Sequence, residues 1–234
     1  MQPQNSRGSE DPWVSTLEGI SRTKSLSQFS PKLSQSETVN LSVTQQIDAV
    51  ILAAGESTRT GDQNKLLLEF ENKVLAAHAI DAALGSTAQK VHIITGHERD
   101  RLAAALGNRP VNLIHNENYR MGVGSSIHCA INILPPDVDG VILCLADMPW
   151  VRADHLDALI GRFTGNAVCA LYFENQRGHP ILFPKSWFSR LMALQGDCGA
   201  RSLLRETTEV ITTIPALDDA ILRDIDRPED FPRN

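Results

Sequence analysis

From Ala49 onward the chain alternates short apolar runs with amphipathic stretches, whereas the residues before it show no hydrophobic period. Ala49-Val50-Ile51-Leu52-Ala53-Ala54 is a continuous apolar run of strand length, Val141 to Leu145 is likewise apolar throughout, and Val91 to Thr95 and Val111 to His115 read as two further strands. Runs without polar alternation suit strands covered on both faces. Between them, Leu66-Leu67-Leu68 reads as a short apolar rung, Glu71-Asn72-Lys73 as a turn, and Val74 to Leu84 as a helix with Val74, Ala77, Ile80 and Leu84 on one face. Glu98 to Leu106 and Ser125 to Leu134 read as further helices, the second stopped by Pro135-Pro136. Arg152 to Phe163 carries Leu156, Leu159, Ile160 and Phe163 at helical spacing, a core face. Repeated βα units predict an α/β fold, a doubly wound, mostly parallel sheet with helices on both faces and ligands beyond the strand carboxyl ends. Val168 to Phe173, Ile181 to Phe183 and Val210 to Ile214 read as shorter strands of the same sheet, interrupted by Gly178-His179-Pro180 and by Gly196 to Arg201.

Residues 1–47 hold ten serines, scattered apolar side chains and as many acidic as basic groups. Too little apolar area is present to offset the entropy of ordering, so a disordered polar tail is expected there, followed by a single domain over residues 48–234. The net charge of −6 then lies wholly in that domain. An acidic chain has no long-range attraction for nucleic acid or an anionic membrane, so neither is an expected partner, and an anionic substrate must be held by local cations. Cys129, Cys144, Cys169 and Cys198 form no C-x-x-C pair and read as reduced core thiols. With no membrane-length apolar run and no compact apolar leader, a cytoplasmic location is expected.

The first apolar run opens into Gly55-Glu56-Ser57-Thr58-Arg59-Thr60-Gly61-Asp62-Gln63-Asn64-Lys65. Small side chains at Ala53, Ala54 and Gly55 let backbone N–H groups approach a ligand, Arg59 can fork two phosphate oxygens, and Lys65 adds a compact charge. Neither a Walker A loop nor a dinucleotide fingerprint has this spacing. Asp147 follows the fourth strand directly, where a carboxylate suits Mg²⁺ or caps the next helix. Asp224 and Asp226 share a side if their segment is extended; the same segment also reads as a strand end leading to a helix with Pro228 in its first turn.

Leu52-Ala53-Ala54-Gly55-x-Ser57-x-Arg59-x-Gly61-x-x-x-Lys65 resembles the signature loop of nucleotidyltransferases, specifically the molybdenum cofactor cytidylyltransferase-like branch of the MobA-like family with its Rossmann-like fold. Three further segments follow in that family's order: Asn116-x-x-Tyr119-x-x-Gly122-x-Gly124-Ser125-Ser126, Arg177-Gly178-His179-Pro180 and Gly196-Asp197-x-Gly199-Ala200-Arg201. Two positions depart from the pattern, Thr60 for a bulky apolar residue and Ala146 for glycine, and neither removes a charge.

The resemblance implies transfer of CMP from CTP to the terminal phosphate of a molybdopterin-type cofactor. It assigns the nucleotide to Leu52, Ala53, Ala54, Gly55, Ser57, Arg59, Lys65, Gly122, Gly124, Ser125 and Ser126. Arg59 and Lys65 would neutralise the departing pyrophosphate, Asp147 with Asp226 or Asp224 would hold Mg²⁺, and His179, Pro180, Asp197 and Arg201 would face the acceptor. The Ala-Ala-Gly form favours cytidine, and a molybdoenzyme of the xanthine dehydrogenase type is a candidate recipient. Two alternatives stay open: another phosphorylated acceptor, such as a sugar or polyol phosphate, and a non-catalytic cofactor carrier.

Overall fold

Ile47–Ala53 is a strand, β1, because its apolar positions have cover on both faces: Ile47, Ala49, Ile51 and Ala53 face one core cluster and Val50 faces the other, while the buried Asp48 carboxylate meets the His92 ring at 2.9 Å. The computed structural model describes residues 45–56, 64–227 and 230. Within them β1 pairs in parallel with β4 (Val91–Thr95) and β6 (Gly140–Leu145), so that Leu52 lies level with both Ile94 and Leu145. The carboxyl ends of three strands therefore reach one edge together. β5 (Asn112–His115) extends the sheet beyond β4, while β8 (Gln176–Pro184), β7 (Cys169–Phe173) and β9 (Thr212–Pro215) extend it beyond β6. The seven-stranded order is β5-β4-β1-β6-β8-β7-β9, with β8 antiparallel to both of its neighbours.

Helices α1 (Leu75–Leu84), α2 (Arg99–Leu106) and α4 (Ala153–Arg162) bury Ile80, Leu102 and Leu156 on one face. Helices α3 (Val123–Asn132), α5 (Phe188–Met192) and α6 (Ala200–Glu206) bury Ile127, Leu191 and Leu204 on the other. Each such side chain contributes about 1.5–3 kcal/mol relative to exposure. This is the doubly wound, mostly parallel α/β sheet that the periodicity predicts. A small hairpin, β2 (Glu69–Phe70) and β3 (Lys73–Val74), turns through Glu71 and Asn72, both at positive φ.

Four readings need correction. Ile47, assigned to the tail, is the buried start of β1, and the Gln46 N–H donates to the Asp139 carboxylate at 2.9 Å, so the ordered chain begins before residue 48. Gly178-His179-Pro180 does not interrupt a strand but lies inside β8; glycine is needed there because a Cβ would come within 2.2 Å of the Ile221 carbonyl oxygen. The segment 196–201 ends by entering α6, and neither α6 nor α5 is legible from such short apolar patterns. Lastly, the thiols differ: Cys144 is buried, its pKa pushed up to about 12 by burial, but Cys198 is exposed. No helix among the described residues is long and apolar enough to cross a membrane.

Candidate active site

A cleft of about 490 Å³ opens at the carboxyl ends of β1 and β6. Its floor is Leu52, Ala53, Ala54 and Gly55, where the sequence places the nucleotide loop. Among the described residues, nothing lies within 4 Å of where a Cβ on Gly55 would sit. Ser57 and Arg59 lie outside the described residues. The loop returns in a short 3₁₀ turn, Lys65–Leu67, started by Asn64, whose side-chain oxygen accepts from the Leu66 N–H at 3.1 Å.

That turn points Lys65 at two carboxylates. Its Nζ lies 2.7 Å from Asp147 Oδ2 and 2.9 Å from Asp226 Oδ1. Burial works to lower the ammonium's pKa, but Asp147 and Asp226 outweigh it and the net shift is upward. Lys65 thus stays charged, and it stands among the residues assigned to a metal rather than with a separate phosphate site. Asp147 sits between β6 and α4, whose cap is Arg152, so the capping alternative is excluded.

Asp224 and Asp226 reach Asp147 because Ile225 between them is an anchor. Its side chain is fully buried against Phe70, Leu75 and Trp150, and its N–H donates to the Asp147 carbonyl at 2.9 Å. Arg223 stacks over the Trp150 ring at 3.8 Å from its centroid and fixes the same segment from outside. One carboxylate oxygen from each of Asp147, Asp224 and Asp226 then falls within 4.8 Å of the others. Burial and the two neighbouring carboxylates push Asp224 up in pKa. Asp147 Oδ1 is buried with no hydrogen-bond partner among the described residues. Three converging hard oxygen donors, one of them unsatisfied, fit a divalent cation such as Mg²⁺. Pro228 lies outside the described residues, and the helix it would start is not assessed by them.

The other wall is built locally, on the uncharged hydrogen-bonding side chains of Asn116, Ser125 and Ser126. Asn116 is buried, and its amide nitrogen donates to Ser125 Oγ at 2.9 Å and Ser126 Oγ at 3.1 Å, while its oxygen accepts from the Asn118 N–H at 3.0 Å. Ser126 and Gly122 line the cleft; Gly124 and Ser125 do not. Ser125 Oγ is within 2.8 Å of the Asn118 and Gly122 carbonyls, so this hydroxyl shapes the loop. The glycines are there for close packing: a Cβ at Gly122, where φ is +93°, would fall 2.3 Å from the Gly196 backbone, and one at Gly124 would fall 2.9 Å from the Leu194 carbonyl.

Of the four residues assigned to the acceptor, Asp197 lines the cleft, and His179, Pro180 and Arg201 lie outside its lining. His179 is buried within β8. Burial, with Arg201 and Arg177 adding their positive charge, lowers its pKa to about 4, so it is neutral at pH 7. Arg201 opens α6 and donates to the Arg177 carbonyl at 2.8 Å. Sequence reasoning missed Arg120, which lines the cleft and pairs with Glu56 at 2.8 Å. It also passed over Gly96, where a Cβ would strike both the Ala54 carbonyl and the Tyr119 ring at 2.6 Å. The one available signal was glycine immediately after a strand.

A doubly wound sheet with a small-residue loop, a lysine and convergent carboxylates at its switch point defines a nucleotide-handling α/β protein. The family is settled by comparison: the MobA-like NTP transferase domain matches residues 49–210, and the chain belongs to that family of nucleotidyltransferases. The purine catabolism protein PucB of Bacillus subtilis is 30% identical over 191 residues, 78% of this chain and 92% of PucB. Nicotine blue oxidoreductase of Paenarthrobacter nicotinovorans is 25% identical over 195 residues, 80% of this chain and 95% of that protein. The crystal structure of Rv0371c from Mycobacterium tuberculosis superposes with a TM-score of 0.72 at 24% identity, covering 80% of this chain and 96% of that one. The same mycobacterial protein has been solved in complex with manganese, with a TM-score of 0.65 at 23% identity over 74% of this chain and 89% of that one.

Proposed function

We propose that this protein transfers CMP from CTP to the terminal phosphate of a molybdopterin-type cofactor, releasing pyrophosphate. The observation that carries the reading is the meeting of Lys65, Asp147 and Asp226 at the edge of a cleft floored by Leu52 to Gly55. The acceptor and the base rest on the order of the later loops and on the Ala53-Ala54-Gly55 form.

No protein nucleophile is required. An oxygen of the acceptor phosphate attacks the α-phosphorus, the new P–O bond forms as the bond to pyrophosphate breaks, and the leaving group departs with its electron pair. The protein's tasks are positioning and charge stabilisation. Backbone groups at Ala53 to Gly55 hold the nucleotide against the Ser126 and Gly122 wall. Lys65, with Arg59, neutralises charge on the departing phosphates. Mg²⁺ held by Asp147 with Asp226 and Asp224 would supply Lewis-acid stabilisation of phosphate charge. The manganese complex of the M. tuberculosis relative supports a divalent cation in this role. Asp197 contacts the acceptor from the cleft, and Arg201, Pro180 and neutral His179 shape the adjoining end of β8. In this reading the reaction takes place in the cytoplasm.

The test is pyrophosphate release by the purified protein with Mg²⁺ and molybdopterin-type cofactor, supplied in turn with CTP, GTP, ATP and UTP. Acceptor-dependent release with CTP alone is the expected result. Release with another nucleotide overturns the base choice, and release only with a sugar or polyol phosphate overturns the acceptor. No release despite tight cofactor binding would make the protein a carrier.

A further inference from the structure

Lys65 poses a question that its role at the departing phosphates leaves unanswered. Its ammonium lies 2.7 Å from Asp147 Oδ2 and 2.9 Å from Asp226 Oδ1, among the donors that the preceding reading gives to the divalent cation. The Lys65 side chain is only 13% exposed. It is therefore seated in the cluster, at the lining of the cleft. The 3₁₀ turn at Lys65–Leu67 is held on both sides, by Asn64 at its start and by Leu66 buried in the core, so the side chain approaches from a fixed base. Only the long, flexible stem of Lys65 is left to move.

We propose that Lys65 is a resident counter-ion that keeps the cation site closed until a nucleoside triphosphate arrives, so that the divalent cation enters with the triphosphate and not before it. The inference rests on the reading of Asp147, Asp224 and Asp226 as the metal ligands. Three carboxylates with oxygens within 4.8 Å of one another repel one another. One ammonium between Asp147 and Asp226 relieves part of that repulsion. A divalent cation bound to the same oxygens would meet the ammonium at short range, and like charges at that separation exclude one another. An incoming triphosphate changes both sides of this balance. Its oxygens offer Lys65 an alternative anion within reach of the same stem, and they supply the ligands that a small hard cation prefers alongside one or two carboxylates. Lys65 then moves from the carboxylates to the phosphates, and one side chain serves both states of the site.

The experiment is equilibrium binding of Mn²⁺ to the whole purified protein, read by the electron paramagnetic resonance signal of free Mn²⁺. It compares wild type with Lys65→Met, which keeps length and loses charge, and with Lys65→Arg, which keeps charge. Without nucleotide, Lys65→Met should bind Mn²⁺ at least ~10-fold more tightly than wild type, and Lys65→Arg should bind as weakly as wild type. Adding Asp147→Asn to Lys65→Met should abolish the gain. Equal, tight binding by wild type and Lys65→Met, lost with Asp147→Asn, would overturn the closed-site proposal while leaving the metal ligands standing. Binding that is weak in every variant, even with a non-hydrolysable CTP analogue present, would overturn both.

Discussion

One wall of the cleft joins Lys65 to Asp147 and Asp226 across 82 and 161 residues of sequence, while the other closes Asn116 onto Ser125 and Ser126 within ten. The first is charged and depends on the whole sheet being in register. The second is neutral and depends on hydrogen bonds and on glycines seated against residues 194–196. The contrast separates two tasks in phosphate chemistry: stabilising charge requires groups that would repel or stay solvated unless the fold holds them, and shaping a loop around a ligand can be done locally.

If the charged wall carries the chemistry, Lys65→Ala and Asp147→Asn should each lower turnover by at least ~100-fold with an unchanged circular dichroism spectrum. Near-normal pyrophosphate release in either would remove that residue's role. Ile225→Ala attacks the same wall from beneath. A cavity beside Phe70, Leu75 and Trp150 should cost about 2–5 kcal/mol in urea unfolding and weaken Mn²⁺ binding, because Asp224 and Asp226 lose their shared anchor. Lost stability with intact metal binding would break that link.

Next comes pH. His179 is neutral in the fold, with its pKa near 4 against an ordinary 6.5, so between these values the unfolded chain binds more protons than the folded one. Its contribution is complete above pH 6.5 and falls away as the pH drops, by on the order of 3 kcal/mol at pH 4. His179→Gln should flatten the dependence of the urea midpoint on pH over that window; an unchanged slope would assign it to other groups. Asn116→Ala, on the neutral wall, should cost about 1–3 kcal/mol and raise the KM for nucleotide more than it lowers kcat. The smallest effect belongs to Arg120→Ala. Its side chain is 74% exposed, so the pair with Glu56 is solvent-screened, and KM should change less than ~3-fold with no shift in the unfolding midpoint.

The same contrast explains what the sequence discloses. The parallel half of the sheet is legible because β1, β4 and β6 are buried on both faces and read as mostly apolar runs, with Asp48 and His92 the buried polar pair that interrupts two of them. The later part is harder: β8 passes through Gly178 and Pro180, residues that usually end strands, and α5 has only five residues to show a period. The neutral wall leaves a compact motif, since its partners are close in sequence. Each carboxylate of the charged wall is visible singly, Asp147 by its place after a strand and Asp224 and Asp226 by their alternation. Their meeting with Lys65 is not, because it is decided by the burial of Ile225 in a cluster drawn from three distant segments. Gly122 and Gly124 suggested ligand contact, and only the structure reveals that their hydrogens are required by residues 194–196.

The order of segments has a consequence for how the protein is made. All seven strands of the large sheet lie before residue 216, whereas Asp224 and Asp226 come after it. A message that stops before codon 224 encodes every strand of that sheet and the floor of the cleft, Leu52 to Gly55, but neither Asp224 nor Asp226 nor the Ile225 anchor between them. Loss of this one short strap therefore removes two of the three carboxylates without removing a strand.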